Sequence, residues 1–290
     1  MTPFNHRKKI SVPDFLSSIS LVYLDLADVF LMQNYQHLIE VLSLINQLPK
    51  SDQDCDFARI KEYYLDGRAG LVRQTIMVSN IHAPELNAVF SRLENVNGRV
   101  KINAEEIQGT IHSLISSPPQ LFQRLPPATL ADHSETRFKH FIATIIPTLR
   151  TGPNFQSGTL VYIPSYFDYI RVRNYLTDHD YTFGSLCEYT SNRQISKMRT
   201  SFFKSETKLI LYTERFHFFR RYVVRGVKNL VFYGLPSYPV FYNELVQGCD
   251  VLGEVKVIYS RFEALALERI VGSEKAEKMI NGEKSCFLVA

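Results

Sequence analysis

Five short runs rich in β-branched and aromatic residues recur through the second half of the chain, at Leu160 to Ile163, Phe183 to Tyr189, Lys208 to Tyr212, Asn229 to Tyr233 and Lys256 to Tyr259. Between most of them the apolar residues fall at helical spacing, which predicts helices over Ser165 to Leu176, Gln194 to Phe203 and Val240 to Gln247, with a last one over Arg261 to Val271 before Gly272. Strands that return after each helix describe α/β units around a mostly parallel sheet. In such sheets the ligand-binding loops gather at the carboxyl ends of the strands. No internal repeat of fixed period is visible.

The first half reads the same way on a smaller scale. Leu21 to Asp25 and Gln74 to Val78 are predicted strands, and Val100 to Ile102 a short third one. Tyr35 to Gln47 carries Leu38, Ile39, Leu42 and Ile45 on one helical face and is stopped by Pro49. Pro84 sits well at the start of a helix running to Leu93. From Asn103 to His133 the pattern weakens, and Ser116-Ser117-Pro118-Pro119 and Pro126-Pro127 break any helix. That stretch is the expected interdomain connection, with Leu121, Phe122 and Leu125 suggesting that it packs. A helix from about Glu135 to Ile146, ending before Pro147, opens the second half. The expected organisation is a first domain over 1–102, a linker over 103–133, a second domain over 134–272 and a tail over 273–290. In that tail Glu274 and Lys278 stand one helical turn apart, placed to pair.

Composition narrows the classes of function. A chain of 290 residues, 45% of them hydrophobic, exceeds one average domain and suits two α/β layers. A net charge of +4 permits a nucleic-acid partner without demanding one. The 4 cysteines lie far apart, without Cys-x-x-Cys pairs or histidines at ligand spacing, so neither a disulfide framework nor a zinc site is indicated. A reducing compartment fits that usage. No apolar stretch approaches the ~20 residues of a membrane span. The polar start Met1 to Lys9 lacks a secretory apolar region, and Cys286 lies too far from the end for prenylation. The expectation is a soluble intracellular protein that contacts no membrane. The 8 histidines are scattered, and no Ser-His-Asp or Gly-x-Ser-x-Gly arrangement supports a hydrolase.

Four literal blocks carry a family resemblance: Val12-Pro13-Asp14-Phe15-Leu16-Ser17-Ser18-Ile19, Ala27-Asp28-Val29-Phe30-Leu31-Met32-Gln33-Asn34, Tyr212-Thr213-Glu214-Arg215-Phe216-His217-Phe218 with Arg220-Arg221-Tyr222, and Phe232-Tyr233-Gly234-Leu235-Pro236. With them the chain resembles the C-terminal part of the digestive organ expansion factor family. These are nucleolar proteins counted among the U3 small nucleolar RNA-associated components of the small-subunit processome, and they are similar to degenerate DEAD-box helicases. The resemblance implies two RecA-like domains, mostly parallel sheets flanked by helices, with the first domain incomplete at its N-terminal side. It implies a nucleolar location and, as partners, pre-ribosomal RNA, the U3 small nucleolar ribonucleoprotein and other processome proteins. It implies no small-molecule substrate, cofactor or metal.

The same resemblance marks positions where helicase chemistry has decayed. Asp25 and Asp28 frame Leu26, which stands where a helicase carries the glutamate that polarises the attacking water. Val78-Ser79-Asn80 stands for the Ser-Ala-Thr motif. Phe241-Tyr242-Asn243-Glu244-Leu245-Val246 occupies the place of the His-Arg-Ile-Gly-Arg motif, with Glu244 where arginine would steady a transferring phosphoryl group. No Gly-x-x-x-x-Gly-Lys-Ser/Thr occurs in these residues. The expectation is a non-catalytic pseudo-helicase. Two alternatives stay open: an active ATP-dependent RNA helicase whose phosphate loop lies upstream, and a pure protein-docking scaffold. A plainer reading of Asp25 and Asp28 is a strand terminus with a helix cap.

Between two predicted strands, Arg215 to Lys228 holds five Lys/Arg and no acidic residue, interleaved with aromatic rings. Guanidinium groups pair with phosphates and aromatic faces stack on unpaired bases. Arg215, His217, Arg220, Arg221, Tyr222, Arg225 and Lys228 are therefore the candidate RNA-binding residues. The competing reading places Phe216, Phe218 and Phe219 in the core, with the arginines as a solvated rim or a protein-docking surface. Arg171, Arg173, Lys197 and Arg199 are further basic residues on predicted helices, where a plain solvated face is equally compatible.

Overall fold

A strand with one apolar side must be covered on that side, and the two strands of the first half show how far this goes. Leu21–Leu24 (β1) pairs in parallel with Gln74–Met77 (β2), Tyr23 lying opposite Ile76, as a two-stranded sheet. The computed structural model describes residues 12–49, 56–103, 106–115, 118–151, 158–248 and 253–289. It divides into two compact units, Met1–Asn103 and Ala104–Ala290.

In the first unit β1 leads into the single turn Val29–Met32 (α1) and then Tyr35–Leu44 (α2), whose cap Asn34 accepts from the Gln36 amide at 3.2 Å. This helix stops short of the predicted Gln47 because Asn46 adopts a left-handed φ of 65°. Its side-chain amide donates to Ser17 and Ile19 carbonyls and its oxygen accepts from Arg73 Nη1 at 3.0 Å. Local side-chain bonding of this kind outcompetes another helical turn. Two short helices, Glu62–Leu65 (α3) and Ala69–Val72 (α4), precede β2, and Pro84–Arg92 (α5) follows with Pro84 in its first turn. Ala27, Ala83 and Leu86 form the small core, packed with Leu31, Tyr35 and Met77. The predicted strand at Val100 to Ile102 is not formed. Those two residues are 80% and 91% exposed, with no partner strand among the described residues and so no ladder to hold them extended.

The second unit is built on a seven-stranded sheet. Its strands are Gln120–Arg124 (β3), Thr159–Ile163 (β4), Gly184–Leu186 (β5), Leu209–Thr213 (β6), Asn229–Phe232 (β7), Val255–Tyr259 (β8) and Cys286–Val289 (β9), in the order β5-β6-β4-β7-β8-β3-β9. All pairs are parallel except β3 with β9. The α/β class with mostly parallel sheets flanked by helices thus holds. Every residue of β4, β6 and β7 is buried, as expected where helices cover both faces. Burying each such apolar side chain contributes roughly 1.5–3 kcal/mol.

The helices of this unit are His133–His140 (α6), Ile146–Thr151 (α7), Tyr166–Asp178 (α8), Asn192–Phe203 (α9), Glu214–Arg220 (α10), Pro239–Gly248 (α11), Ala264–Val271 (α12) and Ser273–Asn281 (α13). Ser165 caps α8, and Ser191 with Gln194 forms a full capping box on α9. The helix expected to end before Pro147 continues through it. A π-type turn over Phe141–Ile145 widens the backbone just upstream, which accommodates the missing amide and ring bulk of proline.

Two stretches read as linker and tail belong to the sheet. Pro118-Pro119 and Pro126-Pro127 flank β3, where a missing amide is tolerated at a strand end, and Phe122 is fully buried. The tail forms α13, where Lys278 meets Glu274 at 2.6 Å, and then β9. Arg124 joins the two: its buried guanidinium donates to the carbonyls of Met279, Ile280 and Gly282 at 2.7–2.8 Å, closing the end of α13.

Replacing Arg124 by alanine leaves three carbonyls without their donor. The expected cost is about 2–4 kcal/mol, measured by denaturant unfolding. Amide exchange should rise in α13 and β9 well before it rises in β4 and β7.

Candidate nucleic-acid interface

In the first unit, the two aspartates after β1 end in different environments. Asp25 is exposed and its carboxylate accepts the neighbouring Leu26 amide at 2.9 Å, its one hydrogen-bond partner among the described residues. Leu26 takes a left-handed φ of 46° and its side chain is largely exposed. Asp28 is buried, and its Oδ1 accepts from Ser79 Oγ at 3.3 Å and from the Asn80 amide at 3.1 Å. The expected cap is corrected here: Asp28 stands at the start of α1 but makes no side-chain bond to it. Its carboxylate instead ties the loop after β1 to the loop after β2, assisted by the Ala27 amide bonded to the Val78 carbonyl at 2.8 Å. Two of the positions singled out by the resemblance, Asp28 and Ser79, are therefore in contact.

In the second unit, the basic-aromatic run is not an extended loop. Thr213 ends β6 and caps α10, its hydroxyl accepting from the Phe216 amide at 3.3 Å and donating to Glu188 at 2.9 Å. One face of α10 turns inward, so Glu214, Phe216 and His217 are buried. Glu214 Oε2 accepts from the Tyr162 hydroxyl at 2.8 Å and the Ser237 amide at 2.9 Å. Burial pushes the Glu214 carboxyl above its ordinary range and the Tyr162 hydroxyl well above its own.

His217 joins two helices. Its Nε2 lies 2.9 Å from Glu244 Oε2 on α11 and its Nδ1 2.9 Å from the Tyr212 hydroxyl. A carboxylate only accepts, so Nε2 carries the proton and, in the neutral ring, Nδ1 accepts from Tyr212. Burial holds the His217 imidazole below its ordinary value, partly opposed by Glu244. The second oxygen of Glu244 receives Arg221 Nη1 at 3.0 Å. Arg221 ends α10 in the left-handed region at φ 45°, with its guanidinium 5.6 Å from the Phe241 ring centre.

This geometry sorts the seven candidates. His217 is enclosed in the core and offers no face to a base. Tyr222 is half-buried, 6.0 Å from Phe216 with the Arg199 guanidinium 4.8 Å over its ring, so the expected stacking surface is occupied from within. Arg221 is engaged by Glu244. Arg215, Arg220, Arg225 and Lys228 are exposed. They do not share one edge: Arg215 follows the carboxyl end of β6, whereas Lys228 immediately precedes the amino end of β7. Of the other basic residues, Arg171 lies 4.0 Å from the Phe138 ring and is paired with Glu135, Arg173 contacts Asn174, and Arg199 donates to the Val223 carbonyl at 3.2 Å. Glu188 and Glu214 were missed in the sequence. Their signal is position: Glu214 directly follows β6, and Glu188 lies two residues past the end of β5 in the same sheet.

Among the described residues no group of three or more His, Cys, Asp or Glu could hold a metal ion, and no helix is long and apolar enough to cross a membrane. The family model described as "UTP25, NTP hydrolase-like domain" matches residues 4–100, and "Utp25, C-terminal domain" matches residues 110–289. The chain belongs to the Utp25 family. A Sclerotinia sclerotiorum protein named U3 small nucleolar RNA-associated protein 25 is 40% identical over 94% of this chain and 40% of its own length. The Candida tropicalis protein of that name is 40% identical over 98% of this chain and 42% of its length, and the Xenopus tropicalis homolog 37% identical over 95% and 37%. The chain thus spans about two fifths of the curated relatives it matches. A solved DEAD-box protein from Methanococcus jannaschii is similar over 91% of this chain and 59% of that one, at 16% identity and a TM-score of 0.38, too distant to bear on the site.

His133, His140 and His217 are all held below the ordinary imidazole value of 6.5 by burial. The unfolded chain therefore takes up protons first as pH falls, so stability is fully present above about 6.5 and is lost below it. Melting temperature measured between about pH 7 and 5 should drop, and His217→Asn should flatten that slope without abolishing it.

Proposed function

We propose that this chain is the non-catalytic, helicase-like portion of a ribosome biogenesis factor. It works in the small-subunit processome, in the nucleolus, during early processing of 18S ribosomal RNA. Its contribution is binding, to pre-ribosomal RNA together with the U3 small nucleolar ribonucleoprotein and assembly proteins. The observation that carries this reading is the 37–40% identity, across 94–98% of the chain, to proteins named for their association with U3 small nucleolar RNA.

The site geometry supports the non-catalytic part. Leu26 supplies no group able to accept a proton from water. Asp28 spends its Oδ1 on Ser79 and Asn80. On α11 the acidic Glu244 consumes Arg221, the one guanidinium that approaches it among the described residues, so neither is left to steady a phosphoryl group.

Two measurements test the reading. Immunoprecipitation of the tagged protein from cells should enrich U3 small nucleolar RNA over other small RNAs, and failure to enrich it overturns the processome assignment. Purified protein should show no RNA-stimulated ATP turnover. Turnover that disappears in Asp25→Ala would establish the active helicase instead.

A further inference from the structure

The chain enters β6, β4 and β7 through Lys208, Gly158 and Lys228, side by side at the amino edge of the second unit's sheet. The Thr159 amide donates to the Lys208 carbonyl at 2.8 Å, and the Lys228 amide donates to the Gly158 carbonyl at 2.8 Å. Neighbouring strands lie about 4.8 Å apart, so the two lysines flank Gly158 with their backbones roughly 10 Å from one another. Gly226, at φ 87°, presses this loop against the end of α9, where an added Cβ would stand 3.4 Å from Phe203 Cα. That approach sets Arg225 beside Phe203 and Lys204. Two basic segments distant in sequence, 204–208 and 225–228, therefore meet.

We propose that Lys204, Lys208, Arg225 and Lys228, around the 64% exposed ring of Phe203, form a binding surface for the backbone of single-stranded RNA. The proposal deepens the RNA-contact reading above and rests on it. Among the described residues no ion pair involves Lys204, Arg225 or Lys228. Among the described residues the acidic groups of this edge are Glu206, in the same turn as Lys204, Asp178 and Asp180 ahead of β5, and Glu254, 3.3 Å from Lys256, and none of them is ion-paired with Lys204, Arg225 or Lys228. Exposed lysines act as point charges for phosphates, and a solvent-facing aromatic ring among them offers a base its π-face. An acidic polypeptide would use the charges but not the ring. The surface lies at the opposite end of the strands from Arg215, about 16 Å away by the length of a five-residue strand.

The test uses the whole chain, a short single-stranded RNA as the probe, and fluorescence anisotropy against salt. Arg225→Glu with Lys228→Glu should weaken binding at least about tenfold near 0.1 M salt and reduce the logarithmic salt slope by roughly 1.4, at about 0.7 per phosphate contact on a single strand. Phe203→Ala should weaken binding with the slope unchanged, and Arg215→Glu should do less than the double variant. All three alter exposed residues, and unchanged melting temperatures check that they fold. A double variant with wild-type affinity and slope overturns the proposal, and if Arg215→Glu alone then weakens binding, RNA contact survives at the carboxyl edge. Wild-type protein that binds no RNA overturns both readings. Polyglutamate bound through the same residues in place of RNA overturns it in favour of an acidic protein partner.

Discussion

A single carboxylate, that of Glu214, holds the middle of the large sheet in register at its carboxyl end. It follows β6 directly, receives the hydroxyl of Tyr162 from β4 and the amide of Ser237 from the turn beyond β7, and is buried. A buried acid without such donors would be costly. With them, three strands separated by long stretches of chain have only one mutual arrangement that satisfies every partner. The direction of α10, and with it the positions of His217 and Arg221, follows from where Glu214 must point.

Two acidic residues, Asp28 and Glu244, are likewise tied into the structure. Asp28 joins two loops of the first unit, and Glu244 clamps α10 to α11 through His217 and Arg221. A phosphoryl-transfer site needs charged groups aimed at an absent ligand, left unsatisfied until it arrives. Here the charged groups are aimed at each other. Mutual pairing of this kind fixes the shape of the loops and helices that carry these residues.

Much of the second sheet was legible because its strands are short, continuous apolar runs between amphipathic helices, and both signals are local. What escaped were features decided at a distance. Gln120–Arg124 reads as a packed linker between prolines, since its partner β8 lies far downstream and nothing nearby announces it. Cys286–Val289 is half exposed and resembles a frayed tail until β3 is beside it. In the basic-aromatic run, charge and ring content were plain, but a seven-residue helix with one inward face divided the residues. His217 and Tyr222 turned inward, and Arg215 and Lys228 went to opposite edges. Pattern alone could not reveal that Glu214, an acidic residue heading that run, is a core residue.

The place of β3 in the sheet has a consequence for how the chain is made. β3 ends at Arg124, but its first lateral partner begins at Val255 and its second at Cys286. During synthesis this strand must wait for about 130 further residues, on the order of ten seconds at ribosomal speed. Through that interval Phe122 and both backbone edges lack their native cover, an invitation to wrong pairing. Of this sheet's described strands β9 emerges after all the others and is the one that seals β3, so a nascent chain halted before Cys286 still exposes that edge to chaperones.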